Sequence, residues 1–219
     1  MMPHPGVAAR GPEDLVLACR AQGVRDERVL EAFRRIRREG FVPPEWIGQA
    51  YRDRPIPIPR GQVTTQPSLV AHMVAALRLS GEERVLEVGT GLGFQTAILA
   101  TLAAEVFSIE RFPDLAAEAE GNLRAAGLER VEVVVGDGTL GLPAHAPFHG
   151  IVVSAAAPSV PQPLVEQLAD GGLLVHPVGW GGDEIVTGYR KQVDRLVPEG
   201  PVTPAHFVRL VGEHGLPEN

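Results

Sequence analysis

Before residue 80 the apolar positions of the chain recur mostly at helical spacing, and after it they come in short unbroken runs. Pro12-Glu13-Asp14 starts a first helix, with proline near its first position and acidic residues in its first turn, and it ends near Gly23. Asp26 caps a second helix, whose apolar face is Val29, Leu30, Phe33 and Ile36 and which Gly40 closes. Pro67 opens a third, with Leu69, Val70, Met73, Val74 and Leu77 on its core side. Over residues 41–66 the helical period vanishes. Pro43, Pro44, Pro55, Pro57 and Pro59 exclude a helix there and impose an extended course. A loop of this length is either functional or disordered, and its small polar tip, set against a helix start, favours function. Residues 1–11 read as a disordered lead.

From residue 84 strand and helix alternate. Apolar runs predict strands near 85–88, 105–110, 131–135, 151–154 and 171–176, with helices near 94–104, 113–126 and 164–168 between them. Runs at 185–189 and 207–211 read as later strands, antiparallel to part of the sheet. This rhythm predicts an α/β fold: a doubly wound, mostly parallel sheet covered on both faces, with an N-terminal helical extension. Residues 1–66 are expected to form that extension and the long loop, packed on a main domain of residues 67–219.

Candidate chemistry starts where the first strand ends, in Gly89-Thr90-Gly91-Leu92-Gly93. Glycines there let the backbone approach a ligand closely and take positive φ at little cost. The amides opening the next helix face the same crevice. Strand, glycine turn and helix make the first half of a βα unit that holds an adenosine-containing cofactor. A dinucleotide fingerprint counted from Gly89 would need its third glycine at Phe94. The spacing found is Glu87-x-Gly89-x-Gly91-x-Gly93, and Glu87 is suited to holding the turn, or a cationic group, in place. Taken alone, the glycines would also fit a structural turn in any α/β protein. Glu110 narrows the choice. It ends the second strand at roughly the 20-residue offset where a carboxylate accepts hydrogen bonds from both ribose hydroxyls. Asp137 ends the third strand between Gly136 and Gly138, where it can meet an adenine amino group, although an Asp-Gly pair by itself marks a turn.

Composition changes the picture by exclusion. The 219 residues suffice for one sizeable α/β domain with an extension. A net charge of −7 argues against a nucleic-acid partner. Arg34, Arg35, Arg37 and Arg38 lie among Glu27, Glu31 and Glu39, so a solvated, salt-bridged face is expected there. The single cysteine, Cys19, excludes an internal disulfide and reads as a small apolar filler. His145 and His149 are four apart but in a proline-containing loop without a partnering carboxylate, so no metal site is expected. No secretory pattern opens the chain, and the longest stretch free of Asp, Glu, Lys and Arg, residues 138–165, is broken by prolines and histidines. A cytoplasmic protein without a membrane partner, acting as a monomer, is expected.

Further motifs run in order along the chain: Pro55-Ile-Pro-Ile, Gly61-Gln with Gln66-Pro67, the glycine turn ending in Phe94-Gln95, and Gly136-Asp-Gly. Ala146-Pro-Phe148, Ala155-Ala-Ala-Pro158, Val160-Pro161, Leu164 with Glu166-Gln-Leu168, Gly171-Gly172 and Pro177-Val-Gly179 follow. The glycine turn resembles the first motif of the S-adenosylmethionine-dependent methyltransferases of the Rossmann-like class. Over about residues 13–212 the chain resembles the protein-L-isoaspartate (D-aspartate) O-methyltransferase family.

The resemblance implies methyl transfer from S-adenosyl-L-methionine to the free carboxylate of L-isoaspartyl or D-aspartyl residues in damaged proteins and peptides, with S-adenosyl-L-homocysteine as product. It implies cofactor contacts from Glu87, Gly89, Thr90, Gly91, Gly93, Gln95, Glu110, Arg111, Asp137 and Gly138. It places Thr65, in the loop 61–67, beside the methyl-transfer site, where the family carries a hydroxyl-bearing residue. Such a reaction needs alignment and partial desolvation more than proton transfer, because the nucleophile is already an anion. The chain departs from the family pattern at Val63-Thr64-Thr65, Pro59, His149 and Arg209, mostly on the substrate side. Two other readings therefore stand beside the first: the same chemistry on a different, dedicated peptide or small-molecule carboxylate, and cofactor binding without catalysis.

Overall fold

The chain is described from a computed structural model, over residues 11–179 and 181–218. The lead expected over residues 1–11 lies, apart from Gly11, outside the described residues. Two helices come first, α1 (Pro12–Ala21) and α2 (Glu27–Arg35). Asp26 caps α2 as expected, its carboxylate accepting the Arg28 and Val29 amides at 2.9 and 3.3 Å. The second helix stops five residues short of Gly40. Ile36 leaves helical space at ψ 118°, and residues 38–41 make a tight 3-10 turn that carries Arg38 inward.

The long loop is more ordered than an extended course. β1 (Ile56–Ile58) and β2 (Gln62–Thr64) pair antiparallel, and Arg60 and Gly61 turn the corner with φ of 63° and 66°. α3 (Pro67–Ala76) follows. Its first turn is capped from a distance: Asp53 Oδ1 accepts the Ser68 amide at 2.8 Å, and Asp53 Oδ2 accepts the Gln66 side-chain amide at 3.0 Å.

The main sheet then forms from β3 (Arg84–Val88), β4 (Glu105–Glu110), β5 (Val131–Val135), β6 (Phe148–Val153), β7 (Leu168–Val178), β8 (Glu184–Gln192) and β9 (Arg195–Ala205). Its seven strands run in the order β5-β4-β3-β6-β7-β8-β9. The first five are parallel and the last two antiparallel. Crossover helices α4 (Phe94–Ala100), α5 (Pro113–Ala125) and α6 (Gln162–Gln167) link the parallel strands. One expectation fails here. The last strand is β9, whereas residues 207–211 contribute only an isolated bridge, Ala156 to Arg209. Pro198, Pro201 and Pro204 argue against a strand by sequence, yet β9 is the sheet's edge, where a missing N–H costs no ladder bond.

Alternation along the strands sorts the core. Val85, Val106, Val152, Leu173 and Val175 face one side, in a cluster with α1, α2, α3 and α4. Leu86, Val88, Ile109, Ile151, Val153 and Leu174 face the other, with Leu164 of α6. The N-terminal helices and the sheet thus share one buried cluster. Phe33 of α2 meets Phe94 of α4 edge-on at 5.6 Å, and Phe41 lies 6.1 Å from the same ring. Such an aromatic pair adds about 0.5–1.5 kcal/mol beyond its buried area.

Candidate active site

β3 has β4 on one side and β6 on the other, so strand order reverses at its carboxyl end, where crevices form in open α/β sheets. The glycine turn sits there. Gly89 donates its amide to the Ile109 carbonyl, and Ser154 donates its own to the Val88 carbonyl, both at 2.8 Å. Gly89, Gly91 and Gly93 all have positive φ, at 95°, 56° and 93°, which an L side chain at these positions would strain.

Glu87 points to the α4 side of the sheet and is fully buried. Its oxygens accept from Gln95 Nε2 at 2.9 Å, Ser108 Oγ at 2.7 Å and Thr96 Oγ1. Burial pushes its carboxyl up to about 7, against the pull of these donors. Glu87 therefore ties strand, neighbouring strand and helix together behind the turn. Thr90 joins the cluster through a 2.6 Å bond to Ser108.

In front of the turn lies a partly open cleft with about 840 Å³ of empty space, its mouth included. Gly89, Thr90, Gly91, Gln95, Glu110, Arg111, Gly138 and Thr65 all line it. Glu110, 5% exposed, accepts the Gly91 amide on Oε2 at 2.9 Å and the Phe112 amide on Oε1 at 3.1 Å. Each oxygen keeps lone-pair capacity for one further donor. Gln95 gives both its bonds through Nε2, to Glu87 and Ser154, and its buried Oε1 is left without a partner. Arg111 lies over Phe112 at 4.8 Å and pairs with Glu218 at 2.5 Å.

Three sequence candidates sit away from the lining. Glu87 is behind the turn, and Gly93 packs against α5, where an added Cβ would lie 3.4 Å from Leu123. Asp137 faces the C-terminal tail instead of the cleft. Its Oδ1 accepts the Thr139 amide and hydroxyl at 2.9 and 2.7 Å, and its Oδ2 accepts the Glu213 amide at 2.7 Å. The adenine contact expected of Asp137 is therefore not formed by the geometry; its neighbour Gly138 lines the cleft in its place. The Asp-Gly turn, the plainer of the two sequence readings, describes what Asp137 does.

A second cleft adjoins the first, lined by Pro55, Gln66, Leu69, His72 and the segment Thr203 to Val208 among others. Val63, Thr65, Ser154 and Val208 line both. Sequence reasoning missed Ser154, although its place at the end of a strand beside the switch point is a usable signal. It also misplaced Arg38. Arg34, Arg35 and Arg37 make the expected surface pairs with Glu13, Glu31 and Glu39. Arg38 is instead fully buried. No spacing rule separates it from its three neighbours. His145 likewise has a carboxylate close by, Glu132 at 3.6 Å. Among the described residues no three His, Cys, Asp or Glu side chains gather where they could hold a metal ion, and no helix is long and apolar enough to cross a membrane.

A switch-point cleft framed by a glycine turn and a carboxylate on the next strand, in this sheet order, defines a doubly wound methyltransferase. The sequence pattern of the family described as protein-L-isoaspartate(D-aspartate) O-methyltransferase matches residues 10–215. The chain is 50% identical over 198 residues to a protein-L-isoaspartate O-methyltransferase of Methanoculleus marisnigri, covering 90% of this chain and 89% of that one. It is 48% identical to one from Aeropyrum pernix, over 90% and 77% of the two chains. A solved protein-L-isoaspartate O-methyltransferase superposes with a TM-score of 0.81 at 27% identity, covering 93% of this chain and 67% of that one. A Plasmodium falciparum structure titled with the same activity, in complex with S-adenosyl-L-homocysteine, shares the fold at a TM-score of 0.79 and 19% identity. The chain belongs to the protein-L-isoaspartate(D-aspartate) O-methyltransferase family.

Proposed function

We propose that the two clefts are the cofactor and substrate halves of one active site, with S-adenosyl-L-methionine in the first and the isoaspartyl segment of a damaged protein in the second. The observation that carries this reading is the shared wall of Val63, Thr65, Ser154 and Val208, the one place where groups from both sides can meet. One chain supplies both linings, so a monomer suffices.

The first cleft fits such a cofactor. Glu110 has acceptor capacity for two ribose hydroxyls, and the unpartnered Gln95 Oε1 offers an acceptor to a donor on the ligand. Bound there, the cofactor would supply a methyl group on a positively charged sulfur. The residues of the chain then have three tasks. Thr65 holds the substrate carboxylate through its hydroxyl. Val63, Val208 and Ile58 exclude water from the point of transfer, which strengthens the attraction between the carboxylate and the positive charge. Glu87 and its donors keep the glycine turn from shifting, since alignment accounts for most of the rate in such a transfer. No general base is needed, because the attacking oxygen is already ionised at neutral pH.

The test is methyl transfer from labelled cofactor to an isoaspartyl peptide, with the normal aspartyl peptide as control. Strong methylation of the first alone is expected. Equal labelling of both, or of neither, would move the reading to a different carboxylate substrate.

A further inference from the structure

Arg38 is the bulkiest of the fully buried side chains. Its Nη1 donates to the carbonyls of Ala50 at 3.0 Å and Arg52 at 3.1 Å. Its Nη2 donates to Thr64 Oγ1 at 2.7 Å and to the carbonyls of Arg54 and Thr65, both at 3.2 Å. The same guanidinium lies 5.4 Å from the ring centroid of Phe94, the first residue of α4 after the glycine turn. Burial draws its pKa down to about 10 and the charge of Asp53 opposes this, so the group stays a cation at neutral pH.

A buried cation is a costly way to hold loops together, and apolar packing would often serve stability better. What a planar fork adds is direction: it sets several oxygens at fixed angles about one point. Here those oxygens belong to segment 50–54 and to the end of β2, and the remaining contact is to the helix of the cofactor cleft.

We propose that Arg38 is a positioning residue for methyl transfer: it latches the Thr64-Thr65 end of β2 to the start of α4 and so fixes Thr65 at the boundary of the two clefts. The proposal rests on the role given to Thr65 above. Arg38 lines neither cleft, so its effect on turnover must pass through that loop.

Arg38→Met keeps length and removes every donor. Calorimetry with S-adenosyl-L-homocysteine should show affinity within about threefold of the parent, while kcat falls at least thirtyfold. Amide exchange at residues 62–66 should quicken at least tenfold and that at 89–95 should stay unchanged. The double variant Arg38→Met/Thr65→Val should be no slower than the slower single variant, because both remove the same function. Thr64→Val, which deletes one acceptor without changing shape, should show the same pattern more weakly, and it decides the matter if Arg38→Met does not fold. Parental kcat, unchanged exchange at 62–66, multiplying losses in the double variant, or equal losses of affinity and turnover would each overturn the proposal. Normal turnover in Thr65→Val alone would instead sink the Thr65 reading, and the latch would then stand or fall on the exchange data.

Discussion

Glu110→Ala separates two tasks that one carboxylate performs. In the protein its oxygens already hold the Gly91 and Phe112 amides, at 2.9 and 3.1 Å. Those bonds exist with or without a ligand, so they cancel from the affinity and appear in stability. What remains for binding is one lone pair on each oxygen, facing a cleft at a site only 5% exposed. A hydrogen bond to a charged group is worth about 1.5–3 kcal/mol. Losing one such contact should therefore weaken S-adenosyl-L-homocysteine binding by about 10- to 140-fold, at 1.4 kcal/mol per tenfold. The alanine variant should also melt lower, since two amides lose their acceptor. Glu110→Gln keeps one carbonyl acceptor but turns an NH₂ toward a backbone N–H, and its affinity should fall between the two. Titration calorimetry on folded protein reads the first effect and a melting curve the second. A lower melting temperature with affinity unchanged within twofold would show that Glu110 only braces the turn, and the ribose assignment would fail.

Thr65→Ser keeps the oxygen and should retain turnover within about tenfold, or 1.4 kcal/mol of barrier, whereas Thr65→Val should lose far more with little change in cofactor affinity. Because Asp53, not Thr65, caps α3, the valine variant should melt close to the parent, and normal turnover in it would remove Thr65 from the site. His176 is fully buried, neither ring nitrogen has a hydrogen-bond partner although the Ala155 backbone lies beside it, and burial lowers its pKa from 6.5 to about 4. The unfolded chain then binds the extra proton first, so stability is full above about pH 6.5 and is lost as pH falls through about 4. That loss is about 3 kcal/mol at most; urea unfolding of His176→Leu should show a correspondingly flatter acid limb, and parallel pH curves for the two proteins would refute it.

The parallel half of the sheet was open to sequence reading because its strands are buried on both faces. Val85, Leu86 and Val88, like Ile151, Val152 and Val153, have almost no choice but an unbroken apolar run. The glycine turn was equally open, since three positive φ values in five residues leave a mark that few other structures make. β9 was hidden for the opposite reason. An edge strand tolerates prolines, and three of them in β9 erased the signal that a central strand would have shown.

Arg38 and Asp137 were misjudged through a different limit. Hydrophobic period says which face of an element is buried, but a polar group is buried by what it finds there. Arg38 finds five oxygens, four of them backbone carbonyls, that carry no side-chain signature in the sequence. Asp137 finds the amide of Glu213, 76 residues further along a tail that returns across the sheet's end. Both are satisfied by backbone, which every residue carries, so residue type could not announce either partner. The cofactor contacts read correctly onto the cleft, Glu110 and Gly91 among them, lie within a single βα unit and the strand after it, where partner and spacing are both local. Local constellations around the cofactor were therefore open to the sequence alone. The geometry that aims the substrate side, with Arg38 at its centre, depends on chain segments brought together only by folding.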